Sequence, residues 1–197
     1  AGDVQVTFLD VGQGDAIFIE SPTGTQVLID GGKDRRILAE LQSVMGYFDR
    51  TIDMVIVTHP DADHIGGLVD VFDRYTVDTV LVTENDHTTP VTELFDAYLR
   101  AEGATIRYAR AGDVYTLGQG RAGSTTLTIL FPDRDVTRME SNASSIIARL
   151  VYGQTSYMFT GDAPSEIERY LVSVYGNTLQ STVLKAGHHG SRTSSDP

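Results

Sequence analysis

Thr58-His59-Pro60-Asp61-Ala62-Asp63-His64-Ile65-Gly66-Gly67 sets two imidazoles and two carboxylates within six residues, His59 to His64, a density of ligand-type side chains that points to a metal site. The preceding Asp53-Met54-Val55-Ile56-Val57 is a short apolar run of the kind that forms a buried strand. The ligand-type groups therefore leave a strand end, cross a loop and enter the start of a helix. Taken alone, the stretch reads equally as a polar loop whose aspartates cap that helix. The rest of the chain decides between the two.

Upstream, Val4 to Leu9 alternates as a strand does. A Gly12-Gln13-Gly14-Asp15 turn and a second run, Ala16 to Ile19, follow, and Pro22-Thr23-Gly24-Thr25 turns the chain into Gln26 to Asp30. These predict three antiparallel strands of one sheet. Ile37, Leu38, Leu41, Val44 and Met45 then keep helical spacing up to Gly46. Downstream, a short helix over Gly66 to Tyr75, a strand over Thr79 to Val82 and a helix opened by Pro90 are predicted, the last with Val91, Leu94, Phe95, Tyr98 and Leu99 on one face. The second half is strand-rich (Ala104–Tyr108, Val114–Leu117, Thr125–Phe131, Ser145–Tyr152, Ser156–Phe159), with a helix over Pro164 to Val174 before a strand over Thr182 to Lys185. Two sheets between helical layers accommodate this order, with the polar motifs at strand ends.

With 197 residues, 41% hydrophobic and 21% charged, one well-cored domain over 1–197 is expected. No run approaches the roughly 18 consecutive apolar residues of a membrane-spanning helix. No basic segment followed by an apolar one opens the chain, and Ala1 in place of Met is compatible with a leader removed on export to the cell surface. Cysteine is absent, so a metal must be held by His, Asp, Glu or Asn. Lys and Arg number 15 against 27 Asp and Glu, a net charge of -12 that disfavours long-range attraction of a polyanion. Lys33 and Lys185 are the only lysines, and an acidic, lysine-poor surface suits high salt, where repulsion is screened.

His59-x-Asp61-x-Asp63-His64, framed by Thr58 and Gly66-Gly67, resembles the signature loop of the metallo-β-lactamase superfamily, whose third position is usually His. Asp61 in that position, with Phe8-Leu9-Asp10-Val11-Gly12-Gln13-Gly14-Asp15-Ala16 before it and His188-His189-Gly190-Ser191 after it, resembles the branch containing the hydrolase domain of the competence protein ComEC. The likeness runs from Val4 to Asp196. It implies an α/β fold, the four-layer αβ/βα metallo-β-lactamase sandwich. Relatives continue past the His pair with further strands, so a chain truncated at its C-terminus is expected.

The resemblance also implies a site. His59 and Asp61 would hold one divalent ion and Asp63 and His64 a second. Asp162, ending Phe159-Thr160-Gly161-Asp162, would bridge both, although by its sequence position alone a helix N-cap is the favoured reading. His188, the first imidazole after the strand, is expected to complete the second ion's shell, with His189 in support or at the substrate. Asn142 stands where commoner members place a His. Asp30 would steady the ligands through hydrogen bonds, with Asp10 and Asp15 able to do similar work. From their place after the His pair, Ser191 and Arg192 are candidates to touch an anionic substrate, although a glycine-flanked Ser is more often a cap, and His87 reads as an exposed loop residue.

By the same resemblance, a water activated by both ions, with Asp63 and Asp162 as the catalytic carboxylates, attacks a phosphodiester. Asp61 and Asn142 supply oxygen where imidazoles would stand, which favours Mn²⁺ with Zn²⁺ as the alternative. DNA or another phosphodiester is the expected substrate, as for a nuclease of DNA uptake. An esterase or lactonase of the same fold, phosphocholine-esterase-like, and a non-catalytic metal-stabilised DNA-binding module are the competing readings. Serine-hydrolase and phosphate-loop motifs are absent.

Overall fold

A computed structural model describes residues 2–195. β1 (Gln5–Phe8), β2 (Ile17–Glu20) and β3 (Gln26–Ile29) form the expected antiparallel run, and β4 (Thr51–Val57), β5 (Thr76–Val82) and β6 (Thr105–Tyr108) extend the same sheet in parallel. Parallel neighbours need crossovers. Here they are α1 (Arg36–Val44), α2 (Ala62–Arg74) and α3 (Pro90–Glu102). Beyond them come β7 (Val114–Gly120), β8 (Gly123–Phe131), β9 (Ile147–Tyr152), β10 (Thr155–Phe159), α4 (Ser165–Tyr175) and the two-residue β11 (Val183–Leu184). The second sheet runs β11-β10-β9-β8-β7, antiparallel except for the β10 and β11 pair. β11 lies at its edge, with no strand beyond it among the described residues.

Strand alternation divides the apolar side chains between two interfaces. Leu28 of β3 and Val55 and Val57 of β4 pack with Leu41, Leu68 and Phe95 of the helices, while Val27, Ile29 and Ile56 face Leu127, Ile129, Leu150 and Phe159 of the second sheet. A third cluster joins Phe131, Ile147 and Met158 to Ile167 and Leu171 of α4. The layers are thus helices, sheet, sheet, helix. Strands buried on both faces read as continuous apolar runs, which is why β3 and the end of β4 were legible as strands. Among the described residues no helix is long and apolar enough to cross a membrane.

The elements differ from the sequence expectation in two informative places. α3 buries Thr92, Phe95 and Leu99 and leaves Leu94 exposed, so the face that meets the core is turned towards Thr92, the second residue of the Thr89–Thr92 capping box. α2 begins at Ala62 and not at Gly66, so the glycine pair lies inside the helix. There it permits close packing. A Cβ at Gly66 would overlap the Lys33 carbonyl, and one at Gly67 would overlap the carbonyls of Gly31 and Asp34. The chain leaving β3 is accordingly stitched to α2, Gly31 N donating to His64 O at 2.8 Å and Gly67 N to Gly32 O at 3.0 Å.

The carboxyl ends of β3, β4, β10 and β11 meet at one edge of the sandwich, where Ile146 N donates to Thr58 O at 2.9 Å and ties the sheets together. This edge carries the polar motifs. The packing account predicts that Gly67→Ala costs about 1–3 kcal/mol in urea unfolding, as overpacking does. Gly103→Ala, at a helix end with φ of 77° and nothing near its added methyl, should cost only about 1–2 kcal/mol of backbone strain. Unchanged stability for Gly67→Ala would refute the close approach.

Candidate metal centre

The site is built outward from Asp30. This carboxylate is 1% exposed, and its residue takes a left-handed backbone with φ of 58° as β3 ends. It accepts from Thr58 N at 2.9 Å, from Thr58 Oγ1 at 2.6 Å and from His64 Nδ1 at 2.8 Å. The Thr58 hydroxyl has one proton, and it goes to the carboxylate. Its 2.9 Å contact with His59 Nδ1 is therefore a bond that the imidazole donates. His59 Nε2 is left with a free lone pair, fully buried and without a hydrogen-bond partner among the described residues. A buried orphan acceptor is costly unless something fills it, and a metal ion fits.

His64, in the first turn of α2, presents Nε2 to Asp162 Oδ2 at 3.3 Å, and the two imidazoles lie 4.1 Å apart between ring centres. Ligand atoms of His59, His64 and Asp162 fall within 4.8 Å of one another, as do those of Asp63, His64 and His189 and those of Asp15, Asp162 and His189. The groups overlap at His64, Asp162 and His189. Asp61, opposite His59 with Oδ2 at 3.7 Å from Nε2, is held through its other oxygen by Ser141 Oγ at 2.5 Å. Asp162 has its backbone fixed by Ser145, which accepts from Asp162 N at 3.2 Å.

Lys185, nearly buried, crosses the same space. Its ammonium donates to Gly161 O at 2.8 Å, lies 3.5 Å from Asp162 Oδ1 and pairs with Asp15. Charge is tightly balanced here. Burial first, and then the His64 charge, push His59 down to about 3, so this ring stays neutral. For His64 burial also lowers the pKa, but Asp30 and Asp162 together outweigh it and push it up to about 10. Asp162 is held well below the usual carboxylate range: burial opposes this, and His64, Lys185 and His59 prevail.

The His pair departs from the sequence expectation. His188 Nε2 is 4.0 Å from Asp162 Oδ2, its Nδ1 meets Thr193 Oγ1 at 3.1 Å, and it lines a neighbouring cleft of about 340 Å³ with Glu140, Asn142 and Pro164. His189 instead enters the cluster, with Nε2 at 3.3 Å from Asp162 and 3.5 Å from Asp63, and Nδ1 at 3.3 Å from Asp15. Both residues have left-handed backbone, with φ of 46° and 51°, which turns the second side chain inward in place of the first. Asn142 Oδ1 is buried without a partner among the described residues. Ser191 bonds Thr193 within its own loop at 2.9 Å and does not reach the cluster, and His87 is exposed as expected. Ser141 and Lys185 were missed by the sequence reading. Lys185, one of the chain's two lysines and placed beside an apolar run, carried a usable signal.

Comparison with known proteins places the chain in a family. The model of the metallo-β-lactamase superfamily matches residues 9–196. The chain is 27% identical over 209 aligned residues to ComE operon protein 3 of Bacillus subtilis, covering 96% of this chain and 26% of that protein. It is 32% identical over 197 aligned residues to Recombination protein 2 of Haemophilus influenzae, covering 96% and 22%. It thus spans about a quarter of the length of the curated relatives it matches. Among solved structures it matches MEM-A1, a subclass B3 metallo-β-lactamase from a soil metagenome library, with a TM-score of 0.62 at 15% identity, over 96% of this chain and 78% of that one, a likeness of fold.

A ligand imidazole must be neutral, so metal uptake at pH 7.5 should expel the His64 proton and none from His59. Titration calorimetry in buffers of different ionisation enthalpy should therefore show about one proton released from this pair. In chelator-treated protein the His64 charge stabilises the fold fully below about 6.5, the unfolded value, and this contribution is lost as pH rises through about 10. Metal binding without proton release would refute the assignment of His64.

Proposed function

Since the chain belongs to the metallo-β-lactamase superfamily, we propose that it is a hydrolase that cleaves phosphodiesters, nucleic acid among them, with two divalent ions. The observation that carries this reading is that the ligand groups of His59, His64 and Asp162 and of Asp15, Asp162 and His189 share the Asp162 carboxylate, which supports two neighbouring positions with one carboxylate between them. His59, Asp61 and Asp162 are assigned to the first ion, with the Asn142 amide oxygen nearby. Asp63, His64, His189 and again Asp162 are assigned to the second, His189 replacing His188. The superfamily likeness supports hydrolysis, and relatives named for recombination and competence support a nucleic-acid substrate.

When bound, such ions lower the pKa of a coordinated water towards neutrality and take up charge developing on the attacked group. The chain's own residues do the positioning. Ser141 holds one oxygen of Asp61 and leaves the other facing His59. Lys185 draws on Asp162 Oδ1, leaving Oδ2 towards His64 and His189. Asp63 and Asp162 are the carboxylates placed to orient the attacking water, and Asp30 keeps the imidazoles in register. An oxygen-rich first position favours Mn²⁺ over Zn²⁺.

The test is turnover with Mn²⁺, Mg²⁺ and Zn²⁺ on single- and double-stranded DNA, bis(p-nitrophenyl) phosphate and a carboxylic ester. Highest activity is expected with Mn²⁺ on the phosphodiesters. Asp162→Ala should reduce it below detection while the thermal transition remains cooperative. Asp61→His should raise zinc affinity and lower Mn²⁺-supported turnover. Full activity in Asp162→Ala, or hydrolysis confined to the ester with zinc, would defeat the proposal.

A further inference from the structure

Two loops close over the amino end of α2 and bring charge with them. Gly14, with φ of 99°, lies so near Asp63 that a Cβ would overlap the Asp63 carbonyl, and this sets Gln13 beside the site. Gln13 Nε2 donates to Asp63 Oδ2 at 3.4 Å, and its Oε1 accepts from Lys33 Nζ at 3.5 Å. The Lys33 backbone is in turn pressed against Gly66 of the helix. An exposed ammonium is thereby held two hydrogen bonds and one amide away from a carboxylate of the candidate centre.

Arg35 and Arg36 follow Lys33, all of them exposed. Arg36 is engaged with Asp34 at 3.1 Å, and the neighbouring Glu40 accepts from Asp10 N at 3.3 Å. Lys33 and Arg35 have no ion-pair partner among the described residues. On a chain of net charge -12, Lys33 is a cation without an ion pair at the rim of the site, and Arg35 stands two residues further along the same segment. The long-range field repels a polyanion, so capture must rest on short-range contacts of this kind.

We infer that Lys33 and Arg35 form an anion-binding rim that seats a phosphate of a nucleic-acid strand next to the one being cleaved. The inference rests on the phosphodiester reading above and names the part of the substrate the chain grips outside the centre. Gln13 sets the spacing: it keeps the Lys33 ammonium off Asp63, at the reach of a neighbouring phosphate and not of the group under attack. A small diester with a single phosphate would occupy the centre and leave the rim unused.

The experiment compares the wild type with Lys33→Ala/Arg35→Ala and Lys33→Glu/Arg35→Glu, all with Mn²⁺, on a single-stranded oligonucleotide and on bis(p-nitrophenyl) phosphate. In the alanine variant KM for the oligonucleotide should rise about tenfold with kcat little changed, and further in the glutamate variant. Its logarithmic dependence on salt should flatten by about 1.4, from two lost contacts to a single strand. The small diester should show no comparable rise, and bound metal should equal that of the wild type. An unchanged oligonucleotide KM, an equal rise on both substrates, or lost metal would each overturn the rim. If the wild type cleaves no phosphodiester, the proposed reaction fails by itself, and anisotropy of a labelled oligonucleotide judges the rim. Binding weakened in the variants supports it; absent or unchanged binding overturns it.

Discussion

The buried carboxylate of Asp30 is the constraint on which the site depends. It accepts three hydrogen bonds, from the Thr58 amide, the Thr58 hydroxyl and His64, and so fixes two ring states at once. His64 must donate from Nδ1, and His59, forced to donate to the committed Thr58 hydroxyl, must leave Nε2 bare. Asp30 has left-handed backbone, a strain of about 1–2 kcal/mol for a residue with a Cβ. Hydrogen bonds to a charged group contribute about 1.5–3 kcal/mol each, which outweighs this backbone strain, while the cost of burying the carboxylate is opposed by its pairing with His64. Glycine would relieve the backbone and lose every bond that gives the imidazoles their direction.

The same carboxylates raise both neighbouring rings, and burial together with the His64 charge reverses the outcome for His59. His64 bonds directly to Asp30 and is drawn to the charged state, whereas His59 touches only the Thr58 hydroxyl and meets the His64 charge at 4.1 Å between ring centres. Two adjacent imidazolium ions in a buried space would repel, so a single proton is favoured on the pair. Around them stand the carboxylates of Asp15, Asp30, Asp61, Asp63 and Asp162, against the cations of Lys185 and protonated His64. Five negative charges against two positive leave a deficit that divalent cations would offset, and expelling the His64 proton enlarges it.

Much of this was legible in the sequence because strands end where chemistry begins. The apolar runs that became β3, β4 and β10 each stop at a polar residue, and a sandwich whose strand ends share an edge brings Asp30, His59 and Asp162 together. What could not be read depends on rotation or distant contact. His188 and His189 differ in direction only because consecutive left-handed residues reverse the expected order. Ser141 acquires its role from Asp61, 80 positions earlier, and Lys185 from Asp15 in the other sheet's loop. Gly66-Gly67 read as the start of the helix and not its interior, since glycine disfavours helix interiors, and the packing that overrides this preference is tertiary.

The capping alternative that the sequence left open meets two aspartates that make no capping bond. Asp61 occupies the N-cap position of α2, yet its side chain makes no capping bond, and its oxygens go to Ser141 and towards His59. Asp162 precedes α4, but the cap position is Pro164, and the carboxylate turns to His64 and Lys185 instead. A capping carboxylate contributes about 1 kcal/mol. Both helices forgo that gain, and Asp162 is almost wholly buried as well, at 3% exposure. With the nearest helix bond unmade, Asp61 faces the buried ring nitrogen of His59 and Asp162 faces His64, which supports ligation over capping. The shape of the strand ends makes that arrangement possible, and Asp30 keeps it in register.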